Sequence, residues 1–172
     1  MYSVNTMPTL CLKLGVLDPT VDALYRARVV THNQTDTENS GFDIYVASES
    51  FVPRQALPTC LGAGIHAEMI EDDGSSGGYW LVARSSICDV PLRLYNAPGV
   101  IDPGYRGQIR MMVTPTLLEG RGVQIPQGAR YFQLVHPSLK PFQVRIVSEL
   151  SPSARGVGGF GSTGSGGKVT VI

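Results

Sequence analysis

Apolar and polar residues alternate along several short stretches of this chain, and a two-residue period predicts strands rather than helices. Leu10, Leu12 and Leu14 alternate with Cys11 and Lys13, which places a half-buried strand near the start. GFDIYVA at 41–47 alternates again, YWLVA at 79–83 reads as a strand that ends in the polar triplet Arg84-Ser85-Ser86, and further strands are expected at 108–113 (QIRMMV), 130–135 (RYFQLV) and 142–147 (FQVRIV). Asp18-Pro19 suits the start of a short turn of helix before Ala23 to Val30. The polar run THNQTDTENS at 31–40 has no period and reads as a loop, as does the glycine-rich stretch from Glu71 to Gly78. Short strands at this spacing, with almost no helical period, point to an all-β fold: an antiparallel sandwich or barrel.

Composition narrows this further. The 172 residues suit a single domain, and 20 glycines with 12 prolines supply the turns that many short strands need. Lys plus Arg equals Asp plus Glu at 14 each, so no whole-molecule field favours nucleic acid or an anionic membrane. A site for an anionic ligand must then be a local cluster of cations. Cys11, Cys60 and Cys88 are odd in number and lack paired spacing, and no apolar run approaches a membrane span. The expectation is a soluble intracellular protein with free thiols.

From about Ser151 the chain changes character. SPSARGVGGFGSTGSGG has too few apolar residues to join a core, so residues 1–150 are expected to form the β domain and 151–172 a mobile arm. The terminal KVTVI reads as a short extra strand. Two motifs mislead here. GVGGFG at 156–161 has dinucleotide-loop spacing but lacks the strand before and helix after it that such a loop requires. His66-Ala67-Glu68 resembles half of a zinc deaminase signature, yet neither Cys60 nor Cys88 has a partner three residues away, so His66 is expected to be an ordinary strand or loop residue.

Five polar or glycine-rich stretches remain: SGFDIYVA (40–47), ARSSICD (83–89), NAPGVIDPGYRGQI (96–109), GARYFQLV (128–135) and RGVGGFGSTG (155–164). In the third, two turns flank the short strand Val100-Ile101, and a plain β-hairpin explains that much. A hairpin edge also exposes backbone N–H and C=O groups that pair with a base edge, and Asp102 just after the apolar pair is placed to act as a general base. Arg84-Ser85-Ser86 at a strand end offers a guanidinium fork and two hydroxyls to phosphate oxygens. Arg155 and Phe160 suit an arm that neutralises phosphate and stacks on a ring.

In this order, the five stretches resemble the five motifs of the trimeric dUTPase family, and RSSICDVPLRLYNAPGVID is similar to the version in eukaryote-like and large-DNA-virus members. The resemblance implies a jelly-roll-like β-sandwich or barrel, a homotrimer with active sites shared between chains, and Mg²⁺-dependent hydrolysis of dUTP to dUMP and pyrophosphate. That activity limits uracil in DNA and supplies dUMP for thymidylate synthesis. Carried onto this chain, Asn96, Gly99, Val100 and Ile101 read uracil, Tyr105 gates the ribose, and Asp102 activates water for attack on the α-phosphorus. Arg84, Ser85, Ser86 and Gln133 bind phosphates, and Asp43 meets the metal through water, the Mg²⁺ being held mainly by the triphosphate. Arg155 acts on the γ-phosphate, Phe160 covers the base, and Gly161, Ser162 and Thr163 complete the arm.

The chain departs from the pattern at Tyr131-Phe132, bulkier than usual, at Thr114-Pro115, and in the KVTVI extension. A dCTP deaminase, the nearest rival, would place a glutamate on the strand after the hairpin, whereas QIRMMVT has no carboxylate. A regulatory protein without turnover would lose Asp102, Arg155 or Phe160, and all three are present.

Overall fold

A computed structural model describes residues 10–158 other than 56, 117 and 118. Its first strand, β1 (Cys11–Val16), occupies the middle of a four-stranded sheet. It pairs in parallel with β13 (Gln143–Ile146) and antiparallel with β5 (Ile65–Ile70), which pairs in turn with the two-residue β6 (Ser76–Gly77). The expected strand is therefore present, but covered on both faces: Leu12 and Leu14 are fully buried and Cys11 is buried as well. The β1–β13 contact is parallel, a departure from a purely antiparallel reading.

A second four-stranded sheet carries most of the residues singled out above. Its order is β2 (Gly41–Ile44), β12 (Phe132–Val135), β7 (Tyr79–Ala83) and β9 (Gly99–Ile101). Registers align Gln133 with Asp43 on one side and with Val82 on the other. Successive side chains alternate between faces, so Phe42, Ile44, Leu81, Phe132 and Leu134 enter the core while Asp43, Val82 and Gln133 share the opposite face. The bulk of Phe132 is thus absorbed by the core and leaves Gln133 free to face the other way.

Smaller sheets close the structure. In one, β10 (Arg110–Pro115) lies between β4 (Thr59–Gly62) and β8 (Leu92–Leu94); in the other, β3 (Ser50–Pro53) pairs with β11 (Gly122–Ile125). β10 continues through Thr114-Pro115, where Pro115 stands opposite Leu92. The strands β8 and β10 are the two limbs of a wide hairpin, and β9 sits in the loop between them, paired to β7 instead of to either limb.

The helix is longer than the sequence suggests. Asp18 caps a 3-10 turn through Thr20 N at 2.9 Å, with Pro19 at its first position, and α1 then runs Asp22–Gln34. Residues 31–34, expected in a loop, are helical. The inward stripe is Val21, Tyr25, Arg28 and His32, half of it polar, so hydropathy does not reveal it. Its polar members find partners only in part, since Arg28 Nε and His32 Nδ1 are buried without a hydrogen bond. His32 Nε2 lies 2.9 Å from the Phe142 carbonyl, and Asn33 exchanges two hydrogen bonds with the backbone of Val144, covering the β13 edge as a neighbouring strand would. Tyr25 donates to the Ala63 carbonyl and accepts from Tyr45 N; burial pushes its phenol well above the ordinary range. His66 is a strand residue of β5, as expected.

Candidate active site

β9 is an edge strand, so one side of Gly99–Ile101 keeps its backbone groups for a further partner. Gly99 is buried against Leu81, whereas the Val100 side chain is 69% exposed and leaves the approach to that edge open. A cavity of about 200 Å³ adjoins it, lined by Asn96, Gly99, Val100, Ile101, Asp102, Tyr105 and Arg155 among others. The chain turns after β9 through a bond from Tyr105 N to the Asp102 carbonyl, 3.0 Å. Tyr105 is 8% exposed and its hydroxyl donates to the Gln108 carbonyl at 2.9 Å, which fixes the ring against the cavity. Gly107 allows this: a Cβ there would stand 2.5 Å from the tyrosine oxygen. Asp102, with a side chain about half exposed, pairs with Arg155 at the mouth. The structure therefore brings together seven of the residues singled out from sequence.

The phosphate-binding candidates gather elsewhere. Arg84, Ser85, Asp43 and Gln133 line a separate cavity of about 630 Å³, together with Arg28, Asp36, Trp80, Val82 and Arg130. Trp80 and Val82 alternate with Leu81 along β7, so the two cavities lie on opposite faces of that strand. Ser86 turns toward the Arg130 carbonyl at 3.4 Å, beside Arg84 Nη1, which donates to the same carbonyl at 2.6 Å. Gly41 permits the glutamine, since a Cβ would meet Gln133 Oε1 at 2.0 Å.

Three guanidinium groups surround Asp43: Arg84 Nε at 2.6 Å, Arg130 Nη1 at 3.4 Å and Arg28 Nε at 3.8 Å. Arg28 also holds Asp36 at 2.7 Å, so three cations face two carboxylates and the pocket carries a net positive charge. That is the local cationic cluster which a neutral chain needs for an anionic ligand. Sequence reasoning assigned nothing to Arg28, Arg130 or Asp36. Arg130 stood within a quoted motif, whereas Arg28 gave no local signal. Among the described residues no three His, Cys, Asp or Glu side chains converge to hold a metal. The pocket's two carboxylates, Asp43 and Asp36, suit a hydrated Mg²⁺ that would arrive on phosphate oxygens, since this ion commonly binds through one or two carboxylates plus substrate. Phe160, Gly161, Ser162 and Thr163 lie outside the described residues, as does KVTVI.

The sequence model of the dUTPase family matches residues 28–164. This chain belongs to the dUTPase family. The deoxyuridine 5'-triphosphate nucleotidohydrolase of Tropheryma whipplei strain Twist is 31% identical over 149 residues, 84% of this chain and 95% of the relative. That of Thermobifida fusca is 45% identical over 73 residues, so the chain spans only 40% of this relative's length. The dUTPase of phage 80alpha shares the fold, with a TM-score of 0.55 at 20% identity over 93% of this chain and 99% of that one. Within the described residues of this dUTPase-family chain, no helix is long and apolar enough to cross a membrane.

Proposed function

We propose that this chain hydrolyses dUTP to dUMP and pyrophosphate, with water attacking the α-phosphorus and Asp102 acting as general base. The observation that carries this reading is the small cavity beneath the free edge of β9, with Asp102 and Tyr105 on its wall. Backbone donors and acceptors on an edge strand present a fixed pattern, so uracil pairs with it while cytosine leaves polar groups unmatched, at about 1–3 kcal/mol for each buried group. The buried ring of Tyr105 packs where a ribose would lie and disfavours a 2′-hydroxyl. Asp102 is accessible enough to hold a water, which a general base requires.

Phosphate binding falls to Arg84, Ser85, Ser86 and Gln133, with Asp43 orienting the water shell of Mg²⁺. The cation neutralises phosphate charge when bound; the protein supplies fixed donors and in-line placement. Because base and phosphate groups lie on opposite faces of β7, one chain offers two half-sites. A homotrimer, each site completed by neighbouring chains, joins them. The arm from 151 onward then brings Arg155 to the γ-phosphate and Phe160 over the base, with Gly161, Ser162 and Thr163 on phosphate oxygens.

Turnover in ¹⁸O-labelled water tests the chemistry. The label is expected in dUMP. Label in pyrophosphate would place the attack on another phosphorus and remove Asp102 from the stated role.

A further inference from the structure

Glu68 lies outside both cavities, in the His66-Ala67-Glu68 stretch that offered no metal site. It is a carboxylate only 1% exposed, and everything around it leads to the hairpin or to the start of the arm. Arg106 Nη2 pairs with its Oε1 at 2.7 Å, Ser76 donates to the same oxygen at 3.0 Å, and Ser151 N donates to Oε2 at 3.1 Å. Lys13 stands 3.7 Å from Oε2. Arg106 in turn donates to the Pro103 carbonyl at 2.6 Å and to the Ser151 carbonyl at 2.7 Å, while its own backbone N–H binds the Gly156 carbonyl at 2.8 Å. Ser153 adds a bond from its hydroxyl to the Gly104 carbonyl.

We infer that Glu68 and Arg106 form a joint that fixes residues 151–156 to the Asp102 turn, and that they act as positioning residues for Arg155. One guanidinium, with its own backbone N–H, touches the turn before it, the carboxylate behind it and both ends of the segment above it. A planar fork with five donors serves such a junction, and an ammonium cannot reproduce it. A carboxylate that needed only charge compensation would be served by Lys13 and Arg106 without bonds from Ser151 and Ser76. The remaining bonds tie the arm's root to the turn that carries the base. Burial pushes the Glu68 carboxyl up, but hydrogen bonds from Ser151 and Ser76 and the Arg106 charge outweigh it and hold it below its ordinary value. The joint is therefore closed at neutral pH.

The catalytic part of this inference rests on the proposed function; the docking of the arm's root does not. Two full-length variants, Glu68→Gln and Arg106→Lys, test both. Trypsin cleavage of the Arg155–Gly156 bond under native conditions, followed by mass, is expected to speed up about tenfold in each, because release of a docked segment governs such cleavage. With dUTP, kcat is expected to fall about tenfold with little change in KM, and Glu68→Gln is expected to add nothing further in an Arg155→Ala background, where the positioned group is already gone. Unchanged cleavage in both variants overturns the joint, whatever the substrate proves to be. Faster cleavage with an undiminished kcat, or with an equal further loss in the Arg155→Ala background, overturns the positioning role.

Discussion

Replacing Asp43 with asparagine keeps the shape of the side chain and removes the one negative charge shared by three arginines. The consequences differ among the three. The side chains of Arg130 and Arg84 are 43% and 27% exposed, so both can turn toward water, and each loses little, as partly exposed ion pairs do. Arg28 is 7% exposed and its Nε has no hydrogen-bond partner, so it keeps only Asp36, at 2.7 Å, against a stranded buried charge. Removing one member of a buried pair typically costs about 3–5 kcal/mol. Because Asp36 compensates part of that charge, the loss here is expected at roughly half, about 2 kcal/mol. For a chain of this size that lowers Tm by about 4–8 °C. The same substitution raises the net positive charge of the pocket, so inorganic pyrophosphate is expected to restore more Tm in the variant than in the parent. Differential scanning calorimetry at pH 7, with and without pyrophosphate, measures both. A Tm within about a degree of the parent and no greater rescue would show that Asp43 does not balance this cluster.

Three further outcomes are expected. Asp102→Asn should lower dUTP turnover by roughly 10²–10⁴-fold, the usual worth of a general base, while nucleotide still binds; calorimetric binding alongside rate measurements checks this, and unchanged turnover removes Asp102 as the base. Asp102→Asn and Arg84→Gln chains, each nearly inactive alone, should regain activity when unfolded and refolded together, since mixed trimers would contain sites with both halves intact; absence of recovery would contradict shared sites. Burial holds the His32 imidazole below its ordinary value, against the opposing effect of the Phe142 carbonyl. The unfolded chain therefore takes up a proton first, so the contribution of His32 is complete above about pH 6.5 and declines as pH falls toward the folded value. His32→Phe should flatten the stability-versus-pH slope below that point, and an unaltered slope would refute the assignment.

Legibility from sequence followed the physics of each element. Tyr79–Ala83 is readable to the residue because its short run of aromatic and aliphatic residues stops abruptly at the polar triplet Arg84-Ser85-Ser86. Helix α1 reads short because its last turn holds the polar His32 and Asn33, whose partners, the Phe142 carbonyl and the Val144 backbone, lie 110 and 111 positions further along the chain. β11 went unread because the exposed Gln124 and half-buried Val123 give it no strong period, and its pairing with β3 is set by the fold. The site residues were visible as motifs, but their division between two faces of β7 was not, since it follows from which strands lie beside it. Arg106 stood within a recognised stretch without a role; its partner Glu68 lies 38 positions earlier in sequence, in a motif that suggested different chemistry.

The central claim is tested most directly by nucleotide selectivity. Purified protein with Mg²⁺ is given dUTP, dCTP, dTTP and UTP in parallel, and pyrophosphate and ammonia release are followed. The account predicts pyrophosphate from dUTP with the other three nearly untouched. Comparable turnover of dCTP with ammonia release, or no turnover of dUTP, would contradict it.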